Sequence, residues 1–276
     1  MKRFIETLKN IWKIEELREK ILLTLGLLFI YRLGSNVVLP GIDPESLTQL
    51  QNQADGGILG ILNAFTGGAF ANASILALGI MPYISASIVI QLLGMAVPSI
   101  QKMQKEGESG RRKINQITRF LTIAITAAQA PGYIANLMSQ NVQLTITPSL
   151  FWIMSIIVLT AGTVFAMWLG ERITDKGIGN GISLLIMVGI IASLPQAFLQ
   201  EFASKMDLNG GLVLFIIEIA VLLIVILLSV ALVQAVRRVT VQYAKRTAGG
   251  RTFAGASARQ YIPLKVNAAG VMPIIF

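Results

Sequence analysis

Six stretches of this chain are apolar over lengths that cross a bilayer as helix, for which about 20 residues suffice. They cover residues 21–39, 76–97, 120–138, 148–169, 178–199 and 210–236. A seventh apolar run begins at Val266 and reaches the last residue, Phe276. It is too short to span, which argues against Phe276 being a native end. No stretch alternates apolar and polar residues as a membrane-barrel strand does. The expected class is an all-α polytopic membrane protein, because a helix satisfies its own backbone hydrogen bonds in lipid.

Between the first two stretches the pattern breaks down. Residues 56–76 are mostly apolar or small, yet 56–97 as one helix would be about twice the length a bilayer allows. A short apolar run, 58–65, leads to Gly67-Gly68 and then to small polar residues up to Ser74, while Gly79 and Pro82 interrupt the next helix near its start. Two readings fit. A short helix could fold back without crossing, which requires irregular backbone to be buried in protein or to line a water-filled cavity. Alternatively, an interfacial helix could lie on the outer surface. Pattern alone leaves both open.

Composition agrees with the membrane class and removes much chemistry. Hydrophobic residues make up 54% and charged residues 13%, about half the charge of an ordinary soluble domain. There is no cysteine and no histidine. Disulfides, thiolate nucleophiles, imidazole bases and the commonest zinc ligands are thereby excluded. Residues 1–20 form a charged, amphipathic segment, and no small-residue cleavage site follows the first apolar run, so no cleaved leader is expected.

Charge fixes an expected orientation. The 23 Lys and Arg outnumber 14 Asp and Glu, for a net +9. They cluster in the N-terminal tail, between the second and third stretches (Lys102, Lys105, Arg111, Arg112, Lys113, Arg119), after the fourth (Arg172, Lys176), and after the sixth (Arg237, Arg238, Lys245, Arg246, Arg251, Arg259, Lys265). The alternate loops hold only Lys205. By the positive-inside rule, the N-terminus and the basic loops face the cytoplasm. Loops 99–119 and 237–265 exceed what a helix connection requires. Their cations would attract lipid headgroups, an acidic protein or ribosomal RNA phosphates. Two charges, Arg32 and Glu218, fall inside apolar stretches. No chain of acids or histidines joins them, so snorkelling or pairing is expected rather than proton transfer.

Five local motifs carry a resemblance. They are Ala77-Leu78-Gly79-Ile80-Met81-Pro82-Tyr83-Ile84-Ser85-Ala86-Ser87-Ile88, Lys105-Glu106-Gly107-Glu108-Ser109-Gly110-Arg111-Arg112-Lys113, Met167-Trp168-Leu169-Gly170-Glu171, Gly177-Ile178-Gly179-Asn180-Gly181-Ile182-Ser183 and Pro263-Leu264-Lys265-Val266-Asn267. In that order, and over essentially the whole chain, the sequence resembles the SecY family of protein-translocation channels. The resemblance implies a truncated SecY-type helical channel: about six of ten spanning helices and a re-entrant plug. It implies segment 1–20, a first-half bundle 21–199 with the plug at about 56–74, and the start of a second half, 200–276.

The resemblance also implies roles. Unfolded secretory polypeptides would cross a bacterial plasma membrane, and apolar segments would leave sideways into lipid. The plug would be Ile58, Leu59, Ile61, Leu62 and Phe65, with flanking residues to about Ser74. An aliphatic pore ring would include Ile80, Ile84, Ile186 and Ile275; branched apolar groups hold no passing chain by hydrogen bonds and can seal by dewetting. Ser85, Gln129 and Asn267 resemble a lateral gate. Arg111, Arg112, Lys113, Lys245, Arg246, Arg251 and Arg259 resemble a docking surface for the ribosome and the SecA motor ATPase. At the tip of the second loop, Gly250-Arg251 carries one cation where the family commonly shows two. SecE and SecG subunits, signal peptides, nascent polypeptides and membrane lipids are the other expected partners. No cofactor is implied, and no glycine-rich nucleotide loop is present.

Other classes fit less well. A secondary transporter breaks helices at the midplane too, but around a compact polar site that this sequence lacks. A membrane hydrolase needs a nucleophile with its base, or metal ligands. An inactive or structural membrane fragment is the remaining alternative.

Overall fold

The computed structural model describes residues 12–43, 57–140, 142–206, 211–241 and 260–266. Eight helices and one β-ribbon occupy them: α1 Glu15–Gly34, α2 Gly57–Thr66, α3 Met81–Ala96, α4 Pro98–Lys105, α5 Glu108–Ser139, α6 Pro148–Lys176, α7 Gly181–Met206, α8 Gly211–Gln234, β1 Val236–Val241 and β2 Gln260–Lys265. The chain divides into two units, Met1–Ala197 and Phe198–Phe276.

Helix ends follow local chemistry. Glu15 and Glu16 stand in the first turn of α1 and Arg32 in its last, each matching the sign of the helix dipole there. Pro82 and Pro148 open α3 and α6, where a missing N–H costs nothing. Val97, held extended (φ −110°, ψ 114°) by the proline that follows it, ends α3. Pro98 restarts the chain as α4 at 102° to α3. Gly107, at φ 74°, then turns α4 into α5, so the stretch read as the loop 99–119 is in fact helical almost throughout. In the Gly-Ile-Gly-Asn-Gly-Ile-Ser motif, the Asn180 side-chain oxygen accepts from the N–H groups of Ile182 (3.1 Å) and Ser183 (3.3 Å) and caps α7.

Three helices, α6, α7 and α8, are each long and apolar enough to cross a membrane, and the bent pair α3–α4 reaches that standard jointly. Of the other expected spans, α1 begins with a run of charged residues and α5 carries its charges up to Arg119 and a row of threonines beyond it. In α5, Thr118, Thr122 and Thr126 are buried and each hydroxyl donates to the carbonyl four residues back, so polar side chains are satisfied within the helix.

In the first unit, α5 packs against α3 and α6, and α1 packs against α6. Two apolar clusters form its interior. One gathers Leu39, Phe70, Ala77, Tyr133, Ile134 and Phe151; the other gathers Tyr31, Leu76, Ile80, Leu169, Ile173 and Leu185. The segment between α2 and α3 contributes to both and is the seam between them.

In the second unit, Phe198 and Phe202 meet Phe215 edge-on at 5.2 and 5.3 Å. Lys205 Nζ lies 2.8 Å from Glu218 and 3.4 Å from Glu201, so the acid inside the sixth apolar stretch is paired, as expected. Most side chains of α8 are exposed, and they are nearly all aliphatic, which suits a lipid environment. An antiparallel ribbon, with Val236 opposite Lys265 and Val241 opposite Gln260, is added to the expected helices. Pro263 falls within β2, which a two-stranded ribbon tolerates because half of each strand's backbone groups face outward. Arg238 stacks over Tyr261 at 4.9 Å.

A β-carbon on Gly162 of α6 would stand 2.1 Å from the carbonyl oxygen of Ile75, so the helix and the seam meet backbone to backbone. Gly162→Ala is expected to cost about 1–3 kcal/mol by overpacking. Its measure is the melting temperature of the detergent-solubilised protein, and an unchanged value would contradict this close approach.

Candidate functional site

The seam is irregular backbone inside a helical bundle, and many of its polar groups have partners within the protein. Gly67 (φ 66°) and Gly68 (φ 86°) take the chain out of α2 in a left-handed conformation that side-chain-bearing residues rarely adopt. Thr66 Oγ1 accepts from the N–H of Phe70 at 3.2 Å, and Asn63 Oδ1 accepts from the N–H of Ala71 at 3.0 Å. The Tyr133 hydroxyl donates to the Phe70 carbonyl at 2.9 Å, and the two rings meet edge-on at 4.9 Å. Leu39 N–H donates to Ala73 O (2.8 Å) and Ile75 N–H to Val37 O (2.9 Å), around a bridge between Val38 and Ser74.

Burial decides between the two readings of this segment. Ala69, Ala73, Ser74 and Ala77 are fully buried, and Leu76 and Ile80 nearly so. Residues 66–80 therefore lie inside the protein and not along an outer surface. Small side chains permit this, because they let backbones of neighbouring elements approach closely.

Arg32 meets the same segment. Its Nη1 donates to the Gly67 carbonyl at 2.6 Å and lies 3.4 Å from Ser35 Oγ. The intramembrane arginine is thus paired, as expected, with the backbone at the C-terminal end of α2. From α7, Gly189 meets the same junction: a β-carbon on Gly67 would stand 2.7 Å from the Cα of Gly189, and one on Gly189 would stand 2.9 Å from the Phe65 carbonyl. The Gly67-Gly68 break was legible in the sequence. Its two clamps were not, since they come from residues 35 and more than 100 positions away.

Three of the four expected ring residues come together. Ile80 is buried in the second cluster, and Ile84 and Ile186, half-buried, pack against it. Ile275 lies outside the described residues. Among the residues expected to form a plug, Ile58, Leu59, Ile61 and Leu62 belong to α2, but their side chains lie outside the described residues; Phe65 is half-buried. Ser85 is half-buried on α3 and Gln129 exposed on α5; these helices pack together, yet no hydrogen bond joins the two side chains. Asn267 lies outside the described residues.

The basic residues divide likewise. Arg112 pairs with Glu108 at 2.7 Å and Lys113 approaches Glu106 at 4.0 Å. Arg111 lines an open depression of about 430 Å³ with Gln104, Gly107, Glu108 and Ile114. Lys245, Arg246, Arg251 and Arg259 lie outside the described residues. One pair went unforeseen. Arg119 donates two hydrogen bonds to Glu171 (Nε to Oε1, 3.0 Å; Nη2 to Oε2), joining α5 to α6. That carboxylate raises the Arg119 pKa further, so the guanidinium stays charged. Among the described residues, no group of three acidic, histidine or cysteine side chains could hold a metal.

The family model for SecY matches residues 74–276. The chain belongs to the SecY family. A protein translocase subunit SecY from Streptomyces scabiei is 46% identical over 276 residues, covering 96% of this chain and 62% of that protein. The corresponding protein from Vibrio cholerae serotype O1 is 45% identical over 267 residues, covering 95% and 59%. The chain thus spans about three-fifths of the length of these relatives. Among solved structures, a protein-conducting channel aligns over 93% of this chain and 54% of its own, with a TM-score of 0.61 at 20% identity. Sec61 from a canine ribosome-channel complex of the endoplasmic reticulum aligns over 82% and 49%, with a TM-score of 0.58 at 21% identity. Both share the fold with this member of the SecY family. The helical membrane class holds, with the β-ribbon as an addition.

Tyr133→Phe removes one donor from the Phe70 carbonyl, which keeps a longer bond from Ala73 N–H (3.3 Å). The expected loss is about 1 kcal/mol. Thermal unfolding in detergent measures it, and no loss would show that the hydroxyl does not anchor the seam.

Proposed function

We propose that this chain is the N-terminal portion of the pore subunit of a bacterial Sec translocon. It lies in the plasma membrane with its N-terminus in the cytoplasm, conducts unfolded polypeptides and releases membrane segments laterally. The carrying observation is that Ile80, Ile84 and Ile186, from two separate helices, converge on one aliphatic cluster next to buried re-entrant backbone. A moving polypeptide presents every side-chain type in turn. A branched apolar constriction offers it no hydrogen bond and seals by excluding water when empty.

In this reading Ile275 is a further member of the ring, and α2, with Ile58, Leu59, Ile61, Leu62 and Phe65, is the plug. Ser85, Gln129 and Asn267 edge the lateral exit, where weak polar contacts of under ~1 kcal/mol suit an interface that opens. Residues 21–199 form the first-half bundle and 200–276 begin the second. Arg111, Arg112, Lys113, Lys245, Arg246, Arg251 and Arg259 offer a cationic surface to the ribosome and SecA, and SecE and SecG complete the assembly. The reaction is conduction, not catalysis, and its energy comes from a partner or from the membrane potential.

A photoreactive residue in place of Ile84, in the full-length protein, tests this reading against a stalled secretory precursor. The expected result is a cross-link to the precursor. None from a correctly inserted channel would sink the ring assignment and favour a structural membrane subunit.

A further inference from the structure

Downstream of α2, residues 69–80 are fixed by bonds with Tyr133, Val37 and Leu39 and by burial in both clusters, while Asn63 and Thr66 of α2 itself reach across to the N–H groups of Ala71 and Phe70. Between that fixed stretch and α2 stand two consecutive glycines, each with positive φ, which is the local composition of a hinge. The carbonyl of the first one receives the Arg32 guanidinium at 2.6 Å. This carbonyl follows directly on the last residue of α2, where the helix dipole is negative, so the charge and the hydrogen bond act in the same direction. Across the junction, Gly189 of α7 leaves room for nothing larger than a hydrogen. Arg32 and Gly189 therefore both contact the junction at the end of α2, Arg32 at the Gly67 carbonyl and Gly189 at Gly67 Cα and the Phe65 carbonyl.

We propose that Arg32 is a latch: a positioning residue whose hydrogen bond to the Gly67 carbonyl sets how often α2 leaves its seat. This rests on the reading of α2 as the plug. The bond exists only when α2 is seated, because moving the helix about the Gly67-Gly68 hinge carries the carbonyl away from α1. A contact made in one state and not in the other shifts the balance by its own strength. In apolar surroundings the freed guanidinium must also find another acceptor, which further favours the seated state. The side chain is well suited to this. Its planar fork of donors reaches a backbone oxygen from a neighbouring helix without needing a carboxylate partner.

The test uses the full-length protein, assembled with its partner subunits in planar lipid bilayers, with ion conductance recorded before and after a signal peptide is added. Arg32→Gln is expected to raise the resting open probability about tenfold, the scale of one lost charge-assisted hydrogen bond. Arg32→Lys, which keeps the charge and gives up the fork, raises it by a smaller factor. Gly189→Ala pushes on the same junction from α7 and raises it too. The Arg32→Gln, Gly189→Ala double variant exceeds neither single by much, because both release one junction. Should Arg32→Gln fail to accumulate, Arg32→Lys and Gly189→Ala decide the matter. Resting conductance equal to the unmodified channel, while signal peptide still opens it, overturns the latch and leaves the channel reading standing. Effects of Arg32→Gln and Gly189→Ala that multiply overturn it as well. An unmodified channel that no signal peptide opens overturns the channel reading and the latch together.

Discussion

A backbone that leaves helical geometry within a membrane protein must find a partner for each exposed N–H and C=O, because lipid supplies none. The segment between α2 and α3 meets that demand with donors and acceptors drawn from α1, α5, its own α2 and the strand-like stretch after α1. The rest of the first unit follows from this. Both apolar clusters are organised on the two faces of the segment, and Gly162 of α6 and Gly189 of α7 are small where it passes. Remove the segment and the clusters lose Phe70, Ala73, Ala77, Leu76 and Ile80, which fill the space between helices that pack on one another.

That arrangement connects packing to function. Ile80, the last residue before α3, is at once the end of the seam and a member of the aliphatic cluster with Leu169, Ile173 and Leu185. Anything that shifts the seam therefore shifts that cluster. Packing in lipid gains little from water exclusion, so close approach of small residues and a few polar contacts carry the stability. Such contacts are individually weak. Under the proposed function, interactions of that size would suit a channel that stays shut at rest and opens on demand.

The sequence revealed the long apolar helices, because 20 consecutive apolar residues have few other uses. It also revealed the break at Gly67-Gly68 and, through the motifs, the residues Ile80, Ile84 and Ile186 that the fold gathers. Partnership across long separations was not legible. Nothing local to Arg32 names Gly67 as its acceptor, and nothing local to Arg119 names Glu171. The ribbon of β1 and β2 was missed because Arg237-Arg238 reads as a topology signal, and because its two strands are separated by 18 residues. The helical stretch at α4 was hidden by Pro98, which ends one helix and starts another at a sharp bend.

The central claim is that residues 66–80 are buried in protein and not laid along the outer surface. These 276 residues contain no cysteine, so single cysteines can report on them in the full-length protein once any in the remainder are replaced by serine. Single cysteines at Ala69 and Ala77, both fully buried, and at exposed Asn36 would be challenged from outside with a membrane-impermeant thiol reagent. The account predicts rapid labelling at Asn36 and none at Ala69 or Ala77 until the protein is denatured. Labelling of Ala69 or Ala77 as fast as Asn36 in the folded, resting protein would contradict it.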